Sequence, residues 1–196
     1  MKNKTALAML VTLAVLSGVF LTVATNKAVL AQHTATPNIL TYENSTNDIK
    51  LQYPSGWVKD LNVSSPDVVT FYPSAVNSNA SLTVTVDDIS DEKGIPLAQY
   101  ASDSNDAIKH VTKDFKLFGS TTNNTLAGLP AYKSIYSYAG DNDTKVQGME
   151  IGAIKGDKVY IFTYEAGPNE YDKYLPIIQQ LIKSLQITGS QSTKLL

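Results

Sequence analysis

Residues 126–185 constrain the fold more than any other stretch of the chain. Three segments with a two-residue alternation follow one another across two short turns, and a segment with a three-to-four-residue apolar repeat closes the run. Residues 131–138 put Tyr132, Tyr136 and Tyr138 on one face. Residues 145–155 alternate Met149, Ile151 and Ala153 with Glu150 and Gly152. Residues 159–165 are apolar on both faces, with Tyr160, Phe162 and Tyr164 on one and Val159, Ile161 and Thr163 on the other; this predicts a central strand. Asp141-Asn142-Asp143 and Gly156-Asp157 supply the turns, where Gly takes a positive φ without steric cost. This order predicts an antiparallel three-strand meander followed by a helix.

The closing helix is expected over residues 169–185. Its apolar stripe is Tyr171, Tyr174, Ile178, Leu181, Ile182 and Leu185. Pro176 lacks an amide hydrogen and disfavours helix at Leu175, so a break is expected there, with regular helix starting at Pro176. Upstream, residues 41–44 and 49–53 flank a polar tetrapeptide and read as a hairpin, and Pro54-Ser55-Gly56 makes a turn before Trp57. Residues 68–72, 81–87 and 115–122 read as further strands. Between the last two, Leu97, Tyr100, Ala101, Ser104, Ile108 and Val111 mark a second amphipathic helix, with Pro96 in its first turn. Strands run together and the helices stand apart, which predicts an α+β domain: an α/β/α sandwich with a central antiparallel sheet and helices packed on its faces.

The first 31 residues differ from the rest. A basic start is followed by an uncharged run over residues 6–24 and the small-residue step Val29-Leu30-Ala31. This is the pattern of an export signal, either cleaved after Ala31 or retained as a membrane anchor. The expected organisation is a signal or anchor at 1–31, a leader at 32–37, a domain at 38–188 and a polar tail at 189–196. The body of the protein is then expected outside the cytoplasm, at the extracellular or envelope face of the membrane. The chain has no Cys, so neither a disulfide nor a lipidated cysteine supports or anchors it.

Three of the sixteen cations lie in the first 31 residues and none of the eighteen acids does, which leaves the remainder at a net charge of −5. Every cation is a Lys. An acidic body without Arg is a poor partner for nucleic acid, because phosphate and guanine recognition leans on the guanidinium fork. Membrane contact is expected only through the N-terminal segment, if it is retained.

No residue pattern points to catalysis. His110 stands alone in the body and His33 lies in the leader; one His makes neither a transition-metal site nor a Ser/His/Asp triad. Asp87, Asp88, Asp91 and Glu92 crowd one strand end, yet lack the glycine and spacing of a calcium loop and read as a solvated acidic turn. No catalytic residue, metal ligand or cofactor is therefore assigned. The aromatic residues carry the binding expectation instead. Tyr132, Tyr136 and Tyr138, together with Tyr160, Phe162 and Tyr164, either fill the core or line a docking groove, and Trp57 either plugs the core or anchors an interface. Asn44, Asn62, Asn79, Asn123 and Asn142 each begin an Asn-x-Ser/Thr triplet and are candidate N-glycosylation sites.

Several segments in their order resemble the PsbP-like family, which shares its sandwich with the Mog1 proteins. They are Tyr53-Pro54-Ser55-Gly56-Trp57, Phe71-Tyr72-Pro73, Ser81-Leu82-Thr83-Val84, Leu126-Ala127-Gly128-Leu129-Pro130-Ala131-Tyr132 and the Tyr174-Leu175-Pro176 step. The Lys-rich, Asn-rich, Cys-free composition is nearest to that of exported archaeal members. The resemblance implies a non-enzymatic accessory subunit that docks on a membrane-associated complex outside the cytoplasm. Two alternatives remain open at this point: a carrier of a small apolar ligand or lipid in a tyrosine-lined cavity, and a glycosylated structural protein of the envelope.

Overall fold

The structure, a computed structural model, describes residues 38–188. The expected signal or anchor, the leader with His33, and the tail lie outside the described residues. In chain order the elements are β1 (Ile39–Asn44), β2 (Ile49–Pro54), β3 (Trp57–Asp60), β4 (Asp67–Pro73), β5 (Ser81–Asp88), α1 (Leu97–Val111), β6 (Lys113–Leu126), β7 (Leu129–Ala139), β8 (Lys145–Lys155), β9 (Lys158–Ala166), α2 (Pro168–Lys183) and β10 (Gln186–Ile187).

Seven strands form one antiparallel sheet in the order β3-β4-β5-β9-β8-β7-β6. β9 is the fourth of the seven, the central place that its two apolar faces predicted. A second sheet, β1-β2-β10, covers part of one face. The rings of Tyr42 on β1 and Tyr53 on β2 meet Phe71 on β4 at centroid distances of 5.8 and 4.9 Å. α2 packs on that same face and buries Tyr171, Tyr174, Ile178 and Leu181 against Met149, Ile151, Tyr160, Phe162 and Tyr164. Each such side chain, fully buried, stabilises the fold by about 1.5–3 kcal/mol, so this face holds the main core. α1 covers the opposite face and buries Tyr100, Ala101, Ser104, Asn105 and Ile108. The expected α/β/α layering is present, with a small sheet as a further cover that the strand pattern alone did not reveal.

Pro176 does not break α2, which is continuous from Pro168 to Lys183. The expected break fails for two reasons. Pro168, not Pro176, occupies the first turn, where a missing amide hydrogen is harmless. Pro176 itself is exposed, as is Asp172 one turn earlier, so the carbonyl that loses its partner faces water. Trp57 is likewise more than a turn residue. It opens β3, pairs with Pro73, and sets its indole edge-on against Tyr174 at 5.7 Å.

Register places a single polar row across the α1 face. Asp60, Thr70, Thr83, Thr163, Glu150, Ser134 and Ser120 are successive cross-strand partners through all seven strands. An alternation of two residues along each strand makes this row one-sided, and the main core lies wholly on the other side.

Candidate functional site

Glu150 sits at the middle of that polar row and is 1 % exposed. Its Oε1 accepts two hydrogen bonds, from Ser104 Oγ of α1 at 2.5 Å and from Tyr132 Oη of β7 at 2.6 Å. Its Oε2 accepts a longer one from Thr163 Oγ1 at 3.4 Å. No cation offsets the charge among the described residues that meet it. Burial raises its pKa above the ordinary carboxylate value, and the three hydroxyls only partly oppose that rise.

Two further acids share the layer. Asp87 on β5 accepts from Tyr100 Oη of α1 at 2.9 Å, and burial raises it as well. Glu165 on β9 is held by the hydroxyls of Tyr136 and Tyr138, the first at 3.3 Å, and is raised by burial. Tyr100, Tyr132, Tyr136 and Tyr138 are all pushed above the ordinary phenol value, chiefly by burial and then by the carboxylates beside them. Each acid thus has its own tyrosine donors, and the pairs stitch α1 and β7 to the middle of the sheet.

Two glycines make room for the rings. Tyr132 stands opposite Gly152 and Tyr136 opposite Gly148. A Cβ on Gly152 would come within 2.5 Å of the Tyr132 ring, and one on Gly148 would collide with the Tyr136 ring. The ring of Phe115, from β6, closes over Tyr136 at 5.7 Å. Glu150 and the tyrosines are buried, whereas Asp87 and Glu165 are half-buried. The hydrogen bonds of the layer fasten α1 and β7 to the middle of the sheet.

The aromatic candidates fall in two places. Tyr132, Tyr136 and Tyr138 do share a face, but all three are buried beneath α1 and β6. Tyr160, Phe162 and Tyr164 are on the other face, since Tyr160 pairs with Ala153 while Tyr132 pairs with the neighbouring Gly152. The six rings therefore line no common groove. Trp57 is buried too. Of the acidic turn, Asp87 faces α1, whereas exposed Asp88 accepts from the amide of Ser90 at 2.8 Å. Among the described residues, no group of three His, Asp or Glu is gathered as a metal site would require. His110 is exposed in the last turn of α1, where a cationic side chain suits the negative helix end. Asn62, Asn79, Asn123 and Asn142 are exposed; Asn44 is half-buried and its amide donates to Tyr42 Oη at 3.2 Å.

Alternation did not single out the carboxylates of the buried layer. The signal was present in Gly148-Met149-Glu150-Ile151-Gly152: an acid flanked at two-residue spacing by glycines on its own face indicates something large lying over it. Also missed was the margin of the sheet. β6 is an edge strand, and 14 of its residues run opposite 11 of β7, with register shifts at three points. At one of them Leu117 pairs with Tyr136 and Gly119 with Ile135, so Phe118 between them has no partner. Phe118 is 62 % exposed and Leu117 45 %.

A PsbP-like protein family model matches residues 7–187. The chain belongs to the PsbP-like family. Among curated proteins none matches the sequence. Solved structures share the fold at low identity. Cyanobacterial PsbP (CyanoP) from Synechocystis superimposes with a TM-score of 0.57 at 15 % identity, over 81 % of this chain and 97 % of that one. The Ran-binding protein Mog1p of Saccharomyces cerevisiae gives 0.56 at 10 % identity, over 78 % and 97 %. LpqN, involved in cell envelope biogenesis of Mycobacterium tuberculosis, gives 0.55 at 16 % identity, over 80 % and 88 %. At these identities the likeness is one of fold. No helix among the described residues is long and apolar enough to cross a membrane.

Proposed function

We propose that this PsbP-like protein is an exported, non-catalytic accessory module that docks on a membrane-associated protein complex outside the cytoplasm. The family consists in general of non-enzymatic accessory proteins that associate with protein complexes, which supports the reading. So does the order basic start, apolar run and small-residue step at the N-terminus. The observation that carries it is the pair Leu117 and Phe118. Large apolar side chains presented on an open sheet margin are what a protein interface buries at its centre. Glu150, the one fully buried acid among the described residues, lies by contrast beneath α1 with hydroxyl partners. Acidic charge and the lack of Arg favour protein over nucleic acid as the partner.

The test is photo-crosslinking in the source cells with a benzophenone residue placed at position 118, and a control at Val76, which is 89 % exposed and lies in the loop between β4 and β5. The expected result is a discrete adduct from position 118 with a subunit of a membrane complex and none from position 76. Equal, diffuse labelling from both positions would refute docking through β6.

A further inference from the structure

Beyond that role, we propose that the protein has a second binding site, for a single-chain carboxylate amphiphile such as a medium-chain fatty acid. The site is a groove of about 350 Å³ on the α2 face, between the β6–β7 turn, β7, β8 and the last turns of α2. That volume lies at the small end of the range for ligand pockets. Its apolar floor is Leu126, Met149, Ile151 and Ile182, and its cations are Lys133 and Lys183. No acidic side chain lines it. In a body that carries eighteen acids against thirteen lysines, this local sign is a reversal.

Among the described residues, neither lysine has a competing acidic partner. The ion pairs there join Lys50 to Glu43, Lys93 to Asp157 and Lys113 to Asp143. Lys183 ends α2, where a cation ordinarily serves the helix carbonyls. Those carbonyls are already taken. The Ser184 amide donates to Gln180 and Leu181, the Ser184 hydroxyl donates to Leu181, and the Leu185 amide donates to Ile182. Lys133 stands on β7 opposite Ile151, so its aliphatic stem borders the floor. An alkyl chain on the floor with a negatively charged head at the lysines matches both the apolar residues and the cations of the groove. Two ammonium groups supply charge without the geometry of a guanidinium fork, and a carboxylate, the smaller and singly charged head, suits a groove at the small end of the range better than a phosphate does.

The fold provides its own reporter. The chain's three methionines are Met1, Met9 and Met149, so Met149 is the one within residues 38–188. Protein labelled with ¹³C at the methionine methyls is titrated with decanoate and, separately, with decanol and decyl phosphate. The expected result is a saturable shift of the Met149 signal with decanoate at concentrations where decanol and decyl phosphate give a weaker one. The double variant Lys133→Gln/Lys183→Gln should weaken decanoate binding about tenfold or more and leave decanol unchanged. Both positions lie outside the core, and an unchanged methyl spectrum without ligand verifies the fold. Three results would each overturn the proposal: no Met149 shift below the concentration at which decanoate self-associates, a shift that the double variant leaves intact, or tighter binding of decyl phosphate. None of them bears on docking through Phe118, which is read at a different surface.

Discussion

Glu150 offers the sharpest test of the layer beneath α1, because two substitutions there should act in opposite directions. Glu150→Ala removes the acceptor of two hydroxyls, Ser104 Oγ and Tyr132 Oη, both on residues with no exposed surface. A buried hydroxyl that loses its acceptor costs up to about 1–3 kcal/mol; here the cost is moderated because Ser104 and Tyr132 also hydrogen-bond with each other. A void is also left where the side chain stood, and loss of the buried charge returns part of the total, for a net loss of about 3–5 kcal/mol. Glu150→Gln keeps Oε1, which accepts both strong bonds, and replaces Oε2 with an amide that donates toward Thr163. It should be neutral or stabilising at neutral pH. The pH dependence follows from linkage. Glu150 is raised in the folded state, so its favourable contribution is complete below the unfolded carboxylate value and declines as pH rises through the folded value. The advantage of Gln over Glu should therefore grow as pH rises above the ordinary carboxylate value. Asp87 is raised too, but it is common to both proteins; Glu165 is raised chiefly by burial and in part by the Glu150 charge, so the Gln variant relieves it and adds to the same trend. Urea unfolding followed by circular dichroism at three pH values gives the ordering directly. An Ala variant within about 1 kcal/mol of the parent, or a Gln advantage that shrinks with rising pH, would refute the account of Glu150 as a buried acid fastened by hydroxyls.

Other outcomes are expected from single changes. Gly152→Ala should destabilise by about 1–3 kcal/mol or more, since its Cβ would press on the Tyr132 ring and both strand and ring are held in place; the same change should cost little further in a Tyr132→Leu background, and a full cost there, measured in the same unfolding assay, would show that the ring is not the cause. Pro176→Ala should stabilise by up to about 3 kcal/mol, because α2 is helical on both sides of an exposed proline. A lower melting temperature for that variant would show that Pro176 makes a contribution other than the one its position suggests.

Much of the fold was legible from period alone. β7, β8 and β9 alternate so regularly that their pairing order and the central place of β9 follow from the residues, and the stripes of α1 and α2 name the side chains that are buried. What alternation cannot give is register between strands distant in sequence. The row from Asp60 to Ser120 exists only once β5 is known to pair with β9, some 70 residues later, and the registers of β7 on β8 and of β8 on β9 separate the two groups of aromatic rings onto opposite faces. The small sheet was hidden for a related reason: β10 has two residues, too few to show any period. Pro176 misled because a local rule about backbone hydrogen bonding was applied without knowledge of exposure. The lysine groove was invisible because Lys133 and Lys183 are 50 residues apart and each reads alone as a solvent-facing charge.

The surplus length of β6 has a meaning for life at high concentration. A straight margin of 14 residues would offer its unpaired amides and carbonyls to any extended chain, including another molecule of the same kind, and would template growth without limit. Three interruptions cut that margin into stretches too short to seat a regular partner strand. The irregularity that holds Phe118 out to water thus also interrupts the regular edge on which a strand of a neighbouring molecule would pair.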